Sequence, residues 1–164
     1  MKGLLVLAAA VLVLLTTPDV RACGCPWLPP DVSDEVFKAA VAKGYKNAVA
    51  VFAGEVIAEE YRPAEEGGAA GREVLVIRLA AESWWKGEQA DKVILYTQTY
   101  RYPDGSGSST SCDYNFAKGQ KYLVYAFGGA DKLSTHACVR TRLMKHAERD
   151  IKALDEIKQN ESSQ

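Results

Sequence analysis

Four cysteines constrain this chain of 164 residues more than any other feature, because Cys23 and Cys25 stand almost together while Cys112 and Cys138 lie far along the sequence. An even number of thiols in an oxidising compartment reads as two disulfides, and four cysteines allow three pairings. Joining Cys23 to Cys25 makes a tight, strained ring of the redox-active kind and leaves Cys112 for Cys138. Either of the other pairings ties the N-terminal cysteines to distant residues. Such bonds close loops of about 90 to 115 residues, and each stabilises by about 4 to 5 kcal/mol through the entropy removed from the unfolded chain. For a structural protein the long loops are the expectation. A four-thiolate zinc site fits less well, since thiols oxidise outside the cytosol and the spacing from Cys112 to Cys138 matches no common finger pattern.

The N-terminus indicates the compartment. Lys2 supplies a positive start, residues 4–15 form an apolar run, and Val20-Arg21-Ala22 ends in a small residue that a signal peptidase accepts. A signal peptide over residues 1–22 is therefore expected, with Cys23 as the first residue of a secreted or periplasmic protein. The run breaks at Thr16-Thr17-Pro18-Asp19, short of the roughly 20 residues a spanning helix needs, so no membrane insertion is expected after cleavage. A cysteine directly after Ala22 also suggests a lipoprotein, but Arg21 fits that signal poorly and a soluble product is expected. The remaining length suits one domain with its own core. With 20 Lys and Arg against 21 Asp and Glu, the net charge of −1 gives no electrostatic reason to expect nucleic acid as a partner.

Along the chain, Pro26-Trp27-Leu28-Pro29-Pro30 must be extended, because each proline fixes its own backbone angle and restricts the residue before it. Ser33 then caps a short helix with Asp34 and Glu35 in its first turn and Val36, Phe37, Ala40 and Val41 on one face, ending near Gly44. Residues 48–58 alternate with both faces partly apolar, as in a strand of a closed or covered sheet. Further strands are predicted over 73–83, 92–99, 121–127 and, shorter, 132–137, with Trp84-Trp85-Lys86-Gly87 as a strand end turning at the glycine. Residues 62–71 and 102–111, rich in Gly, Pro, Glu and Ser, read as loops. Leu143, Ala147, Ile151, Leu154 and Lys158 recur at helical spacing, which predicts an amphipathic closing helix over 142–158 and a disordered tail over 159–164. The fold class is thus mainly β: a five-stranded barrel over residues 23–158 with a short N-terminal helix and a C-terminal amphipathic helix.

Little in the chain points to an enzyme. His136 and His146 are the only histidines, and neither belongs to a Glu-x-x-His or His-x-His run, so they read as surface residues and no intrinsic metal site is expected. There is no Gly-x-Ser-x-Gly elbow, no thiol is left over once the disulfides form, and the pairs Glu59-Glu60 and Glu65-Glu66 sit in or beside a loop. No cofactor is expected, since no Lys-Ser or Lys-Thr pair follows the glycines of 102–111 to make a phosphate cradle. Trp84, Trp85, Tyr96, Tyr100 and Tyr102 offer an aromatic platform for carbohydrate or protein, but strand alternation sends one tryptophan to the core and the other to an edge.

The ordered set of Cys23-Gly24-Cys25, Val51-Phe52-Ala53-Gly54-Glu55-Val56, Trp85-Lys86-Gly87, Cys112 ahead of Phe116-x-x-Gly119, Tyr122-Leu123-Val124-Tyr125-Ala126 and Cys138-Val139-Arg140-Thr141 resembles the bacterial relatives of the netrin-like domain. Through them it is similar to the N-terminal domain of tissue inhibitors of metalloproteinases, over nearly all of residues 23–164. The resemblance implies an OB-fold-like barrel with bridges Cys23–Cys112 and Cys25–Cys138. It also implies an inhibitory ridge of Gly24, Cys25 and Pro26, with Cys23 chelating a protease zinc through its α-amine and carbonyl oxygen. With its sulfur held in a disulfide, Cys23 offers nitrogen and oxygen only, a five-membered chelate suited to the open position of a catalytic zinc. This chain has four cysteines where the animal inhibitory domain has six, and Gly24 stands where a side chain usually enters the protease's specificity pocket. The partner so implied is a zinc metalloproteinase. The alternative is a structural or protein-interaction module of the cell envelope, with Cys23 and Cys25 as staples alone.

Overall fold

A computed structural model describes residues 23–25, 28–64, 70–129 and 131–163. The expected signal peptide, and Pro26 and Trp27 of the ridge, lie outside the described residues. The first helix, α1 (Asp34–Asn47), starts where the cap predicts: Ser33 Oγ accepts from the Val36 N–H at 3.4 Å, and Asp34 and Glu35 lie at the positive end of the helix dipole. It runs past Gly44, because that glycine makes room for neighbours rather than a stop. A Cβ there would lie 3.3 Å from Arg140 Cδ and 3.4 Å from Tyr125 Cε1. The buried stripe is Phe37, Val41 and Tyr45; Val36, expected on the apolar face, is 49% exposed. One residue along a helix turns the side chain by about 100°, so Val36 and Phe37 cannot share the centre of one face.

Among the described residues seven strands follow: β1 (Ala50–Pro63), β2 (Glu73–Lys86), β3 (Lys92–Arg101), β4 (Gly107–Ser108), β5 (Lys121–Gly129), β6 (Lys132–Ser134) and β7 (Arg142–Leu143). β1 pairs antiparallel with β2 and β2 with β3; β3 pairs in parallel with β6, β6 antiparallel with β5, and β5 antiparallel with β1. The sheet thereby closes in a ring, and the fold is mainly β with a helix near each end. β1 and β2 outrun their expected ends because register shifts at Val51/Phe52, Ala53/Gly54 and Val56/Ala58 let long strands coil without losing their pairing. Arg62 and Pro63, expected in a loop, pair with Val74 and Glu73, and the loop expected over 102–111 contains β4, which pairs with β3.

The closing helix also begins later than expected. Leu143 pairs with Tyr122 in β7, a 3₁₀ turn spans Met144–His146, and α2 occupies Glu148–Ser162. The reason is a gap on the outer edge of β5 between its β7 and β6 partners, which two threonine side chains fill. The Tyr125 N–H donates to Thr141 Oγ1, and Thr135 Oγ1 donates to the Tyr125 carbonyl, both at 2.9 Å. The chain must therefore stay extended through residue 143 before it can coil.

Residues 122–126 of β5 are all buried because the strand has a core on each side. Tyr122, Val124 and Ala126 face the inside of the ring with Phe52, Val56, Leu79 and Leu95. Leu123 and Tyr125 face the helices with Phe37, Val41, Tyr45 and Leu154. Gly54 sits where β1 and β2 approach closely: a Cβ would fall 2.6 Å from the Ala80 carbonyl oxygen. Gly54→Ala is expected to cost about 1 to 3 kcal/mol through overpacking of the strand pair. The check is the thermal melting midpoint, and an unshifted midpoint would show that the strands part freely.

Candidate functional site

The N-terminal cysteines reach two separate loops. Cys23 joins Cys112 with a Cα separation of 5.5 Å, and Cys25 joins Cys138 with 4.8 Å. Both loops are held independently of the sulfur. Asp113, next to Cys112, accepts from the Gln98 N–H at 2.9 and 3.0 Å and from Thr99 Oγ1 at 2.9 Å, which ties its loop to β3. The Ala137 N–H donates to the Cys112 carbonyl at 2.8 Å, and Asp113 forms an isolated bridge with His136. The two disulfides abut, with Cys23 Sγ 3.4 Å from Cys138 Sγ. Cys23, Cys25 and Cys138 thus gather their sulfurs within 4.8 Å, but each is consumed in a disulfide and offers no thiolate to a metal. Gly24 between them is exposed, with nothing within 4 Å of where a Cβ would stand. The result is a short edge pinned on both sides and open at its centre.

The aromatic residues do not converge on one ligand face. Trp84 stacks on Phe52 with centroids 4.9 Å apart in the ring interior, whereas Trp85 turns to the helices and donates from Nε1 to Asp155 at 2.6 Å. Arg72 covers the Tyr100 ring at 4.3 Å and Lys132 the Tyr96 ring at 5.4 Å. Tyr102 is paired with Ser108 at 3.3 Å. His136 and His146 are exposed. Tyr45 donates to Glu161 at 2.7 Å, with the Trp85 carbonyl oxygen 3.0 Å from the same hydroxyl, and burial, then Glu161, pushes its hydroxyl pKa up to about 12.

Sequence reasoning missed an ionic cluster behind this edge. Asp150 on α2 is 0% exposed and meets Arg140 Nε at 2.6 Å and Arg142 Nη1 at 3.1 Å. Arg140 also lies over the Phe37 ring at 4.6 Å, with Arg149 over the same ring at 4.1 Å. Arg149 in turn bonds Asp34 at 2.6 Å and holds that exposed carboxyl below its ordinary range. A signal was present: Arg140 and Arg142 are two apart on extended chain and project to one side, and Asp150 stands one helical turn from Ala147 and Leu154 in the apolar stripe.

Fold and edge together define a class: a mainly β, ring-closed fold whose Cys23-Gly24-Cys25 segment is pinned by two long-range disulfides. Comparison with protein-family models and a search of curated proteins both found no match for the chain.

Proposed function

We propose that this chain is an exported binding module of the netrin-like kind, an OB-type barrel that offers Cys23-Gly24-Cys25 to a zinc metalloproteinase as partner. The observation that carries the reading is the open, doubly pinned edge at Gly24. An edge already fixed before contact loses little freedom on binding, which is how rigid inhibitory segments gain affinity. The ring of β1, β2, β3, β6 and β5 supports the barrel reading. After cleavage behind Ala22, the Cys23 nitrogen and carbonyl oxygen form the chelate, while the sulfur serves as anchor.

The amine must bind zinc unprotonated, and a free α-amine has a pKa of about 7.7 to 8.0, so inhibition is expected to weaken as pH falls below that range. The test compares protein beginning at Cys23 with the same protein carrying one added alanine before it, both shown equally folded by thermal melt, across a panel of zinc proteases. The extended form is expected to lose inhibition. Gly24→Thr should strengthen it, since the site has room for a side chain. Equal inhibition by the first two forms, or none across the panel, would leave an interaction module without chelation as the better reading.

A further inference from the structure

The border of β1 that faces away from β2 is covered along only part of its length. β5 pairs with it from Ala50 to Glu55, and the turn before β5 continues the cover: the Val56 N–H donates to the Gln120 carbonyl at 3.0 Å and the Gly119 N–H to the Val56 carbonyl at 2.8 Å. From Ala58 to Pro63, among the described residues, β2 alone pairs with β1. The ladder decides which groups are left over. The Ala64 N–H donates to the Arg72 carbonyl at 2.8 Å, which makes these two a hydrogen-bonded pair, and the register from Ala58 to Pro63 runs without a shift. Hydrogen-bonded pairs alternate along an antiparallel ladder, so Ala58, Glu60 and Arg62 bond inward to β2. The Leu75 carbonyl, opposite Tyr61, agrees with this phase, since it accepts from Thr97 Oγ1 on the β3 side. The backbone N–H and C=O of Glu59 and Tyr61, and the C=O of Pro63, therefore point outward, and all three residues are exposed.

An open border of this kind is a template for another strand, and proteins blunt it with charges and proline. Both are present here, but the charges are of opposite sign. Glu60 and Arg62 stand two apart on one face of the sheet, where the Arg62 guanidinium bonds the Glu60 carboxylate and Arg78 reaches it from β2 at 3.5 Å. If two copies pair antiparallel along this border, the two-fold axis can fall on Glu60, Tyr61 or Arg62. The first choice sets carboxylate against carboxylate and the last guanidinium against guanidinium, and like charges directly opposite are unfavourable. With Tyr61 on the axis, Glu60 of each copy faces Arg62 of the other. The Tyr61 N–H groups then donate to each other's carbonyl, and the Glu59 N–H donates to the Pro63 carbonyl of the other copy. Proline costs the ladder one donor at its end and none at its centre. On the opposite face the two Tyr61 rings meet, each backed by Arg101 at 4.3 Å, which Glu73 holds at 2.6 Å.

We infer that this chain pairs with a second copy of itself through residues 58–63 of β1, antiparallel about a two-fold axis at Tyr61. The same border is used on both copies, so the assembly closes at two.

Sedimentation equilibrium of the oxidised protein tests this. The mean mass should rise from one chain towards two, and not beyond, as concentration goes from about 1 µM to about 1 mM, the span of weak association. Exposed ion pairs select a register more than they add affinity, so charge reversal is the sensitive probe. Arg62→Glu sets like charges opposite each other at both ends of the axis and should weaken self-association at least about tenfold, as should Glu60→Arg. Mixed in equal amounts, these two variants should associate with each other as the parent does, because each then faces the opposite charge. Tyr61→Pro removes both central donors without touching a bond to β2, and should abolish the dimer in a chain shown folded by thermal melt; the mixed charge variants decide if it does not fold. A parent that keeps one chain's mass throughout, association that continues past two, charge variants that fail to rescue each other, or a folded Tyr61→Pro variant that pairs like the parent would each overturn the inference. No protease enters the experiment, so its result stands apart from the zinc test.

Discussion

Asp150→Ala is expected to destabilise the fold by about 3 to 5 kcal/mol, because it leaves Arg140 and Arg142 facing each other without a carboxylate. The two side chains are only 14% and 28% exposed, so water cannot fully replace the lost partner. The midpoint of urea unfolding reads this directly. Asp150→Asn should cost less, since it keeps an acceptor oxygen at the same place. Replacing all three residues together with Leu, Met and Leu should recover much of the loss, because apolar side chains of similar size have no charge to bury. A loss below about 1 kcal/mol for the alanine variant would mean that the arginines swing out to solvent.

Joint replacement of Cys25 and Cys138 by serine should cost about 2 to 5 kcal/mol and lower the melting midpoint sharply, since that bond closes a separation of 113 residues. Both must be changed at once. Cys25→Ser alone frees a Cys138 thiol that starts 3.4 Å from the Cys23 sulfur, where thiolate attack would exchange the remaining bond. Non-reducing peptide mapping of the parent should recover the Cys23–Cys112 and Cys25–Cys138 peptides. Recovery of a Cys23–Cys25 peptide instead, or no stability change in the double variant, would sink the role of staple.

What the sequence made legible was local. Ser33 with Asp34 and Glu35 set the start of α1, and the apolar run in β5 marked a strand. Elements imposed by distant partners were not legible. β7 exists because Arg142 and Leu143 meet Leu123 and Tyr122, and β4 because Gly107 and Ser108 meet Arg101 and Tyr100. Helical spacing from Leu143 onward was real, but two threonines filling the edge of β5 outweighed it. At the edge itself, the four cysteines announced their chemistry. The cleft lined by Lys43, Arg140, Arg142 and Arg149 did not announce itself, because these residues come from α1, the stretch around 140 and α2, segments that only the closed sheet brings together. Asp150 stands in the apolar stripe of a helix, but only the fold sets its two arginines against it.

The spacing of the disulfides also sets an order of events in synthesis. Cys23 and Cys25 are made 89 and 113 residues before their partners. At about 5 to 20 residues per second, they wait on the order of ten seconds for a native mate, and throughout that time the nearest sulfur to each is the other. The small ring is therefore the first bond open to them, and any chain that closes it must reopen it by thiol exchange. Reshuffling of this kind takes seconds to hours, far longer than the collapse of a chain this size. Maturation is then paced by sulfur chemistry, and a disulfide isomerase should speed it. Cys23 and Cys25, made long before their partners, are then among the last residues to be fixed in place.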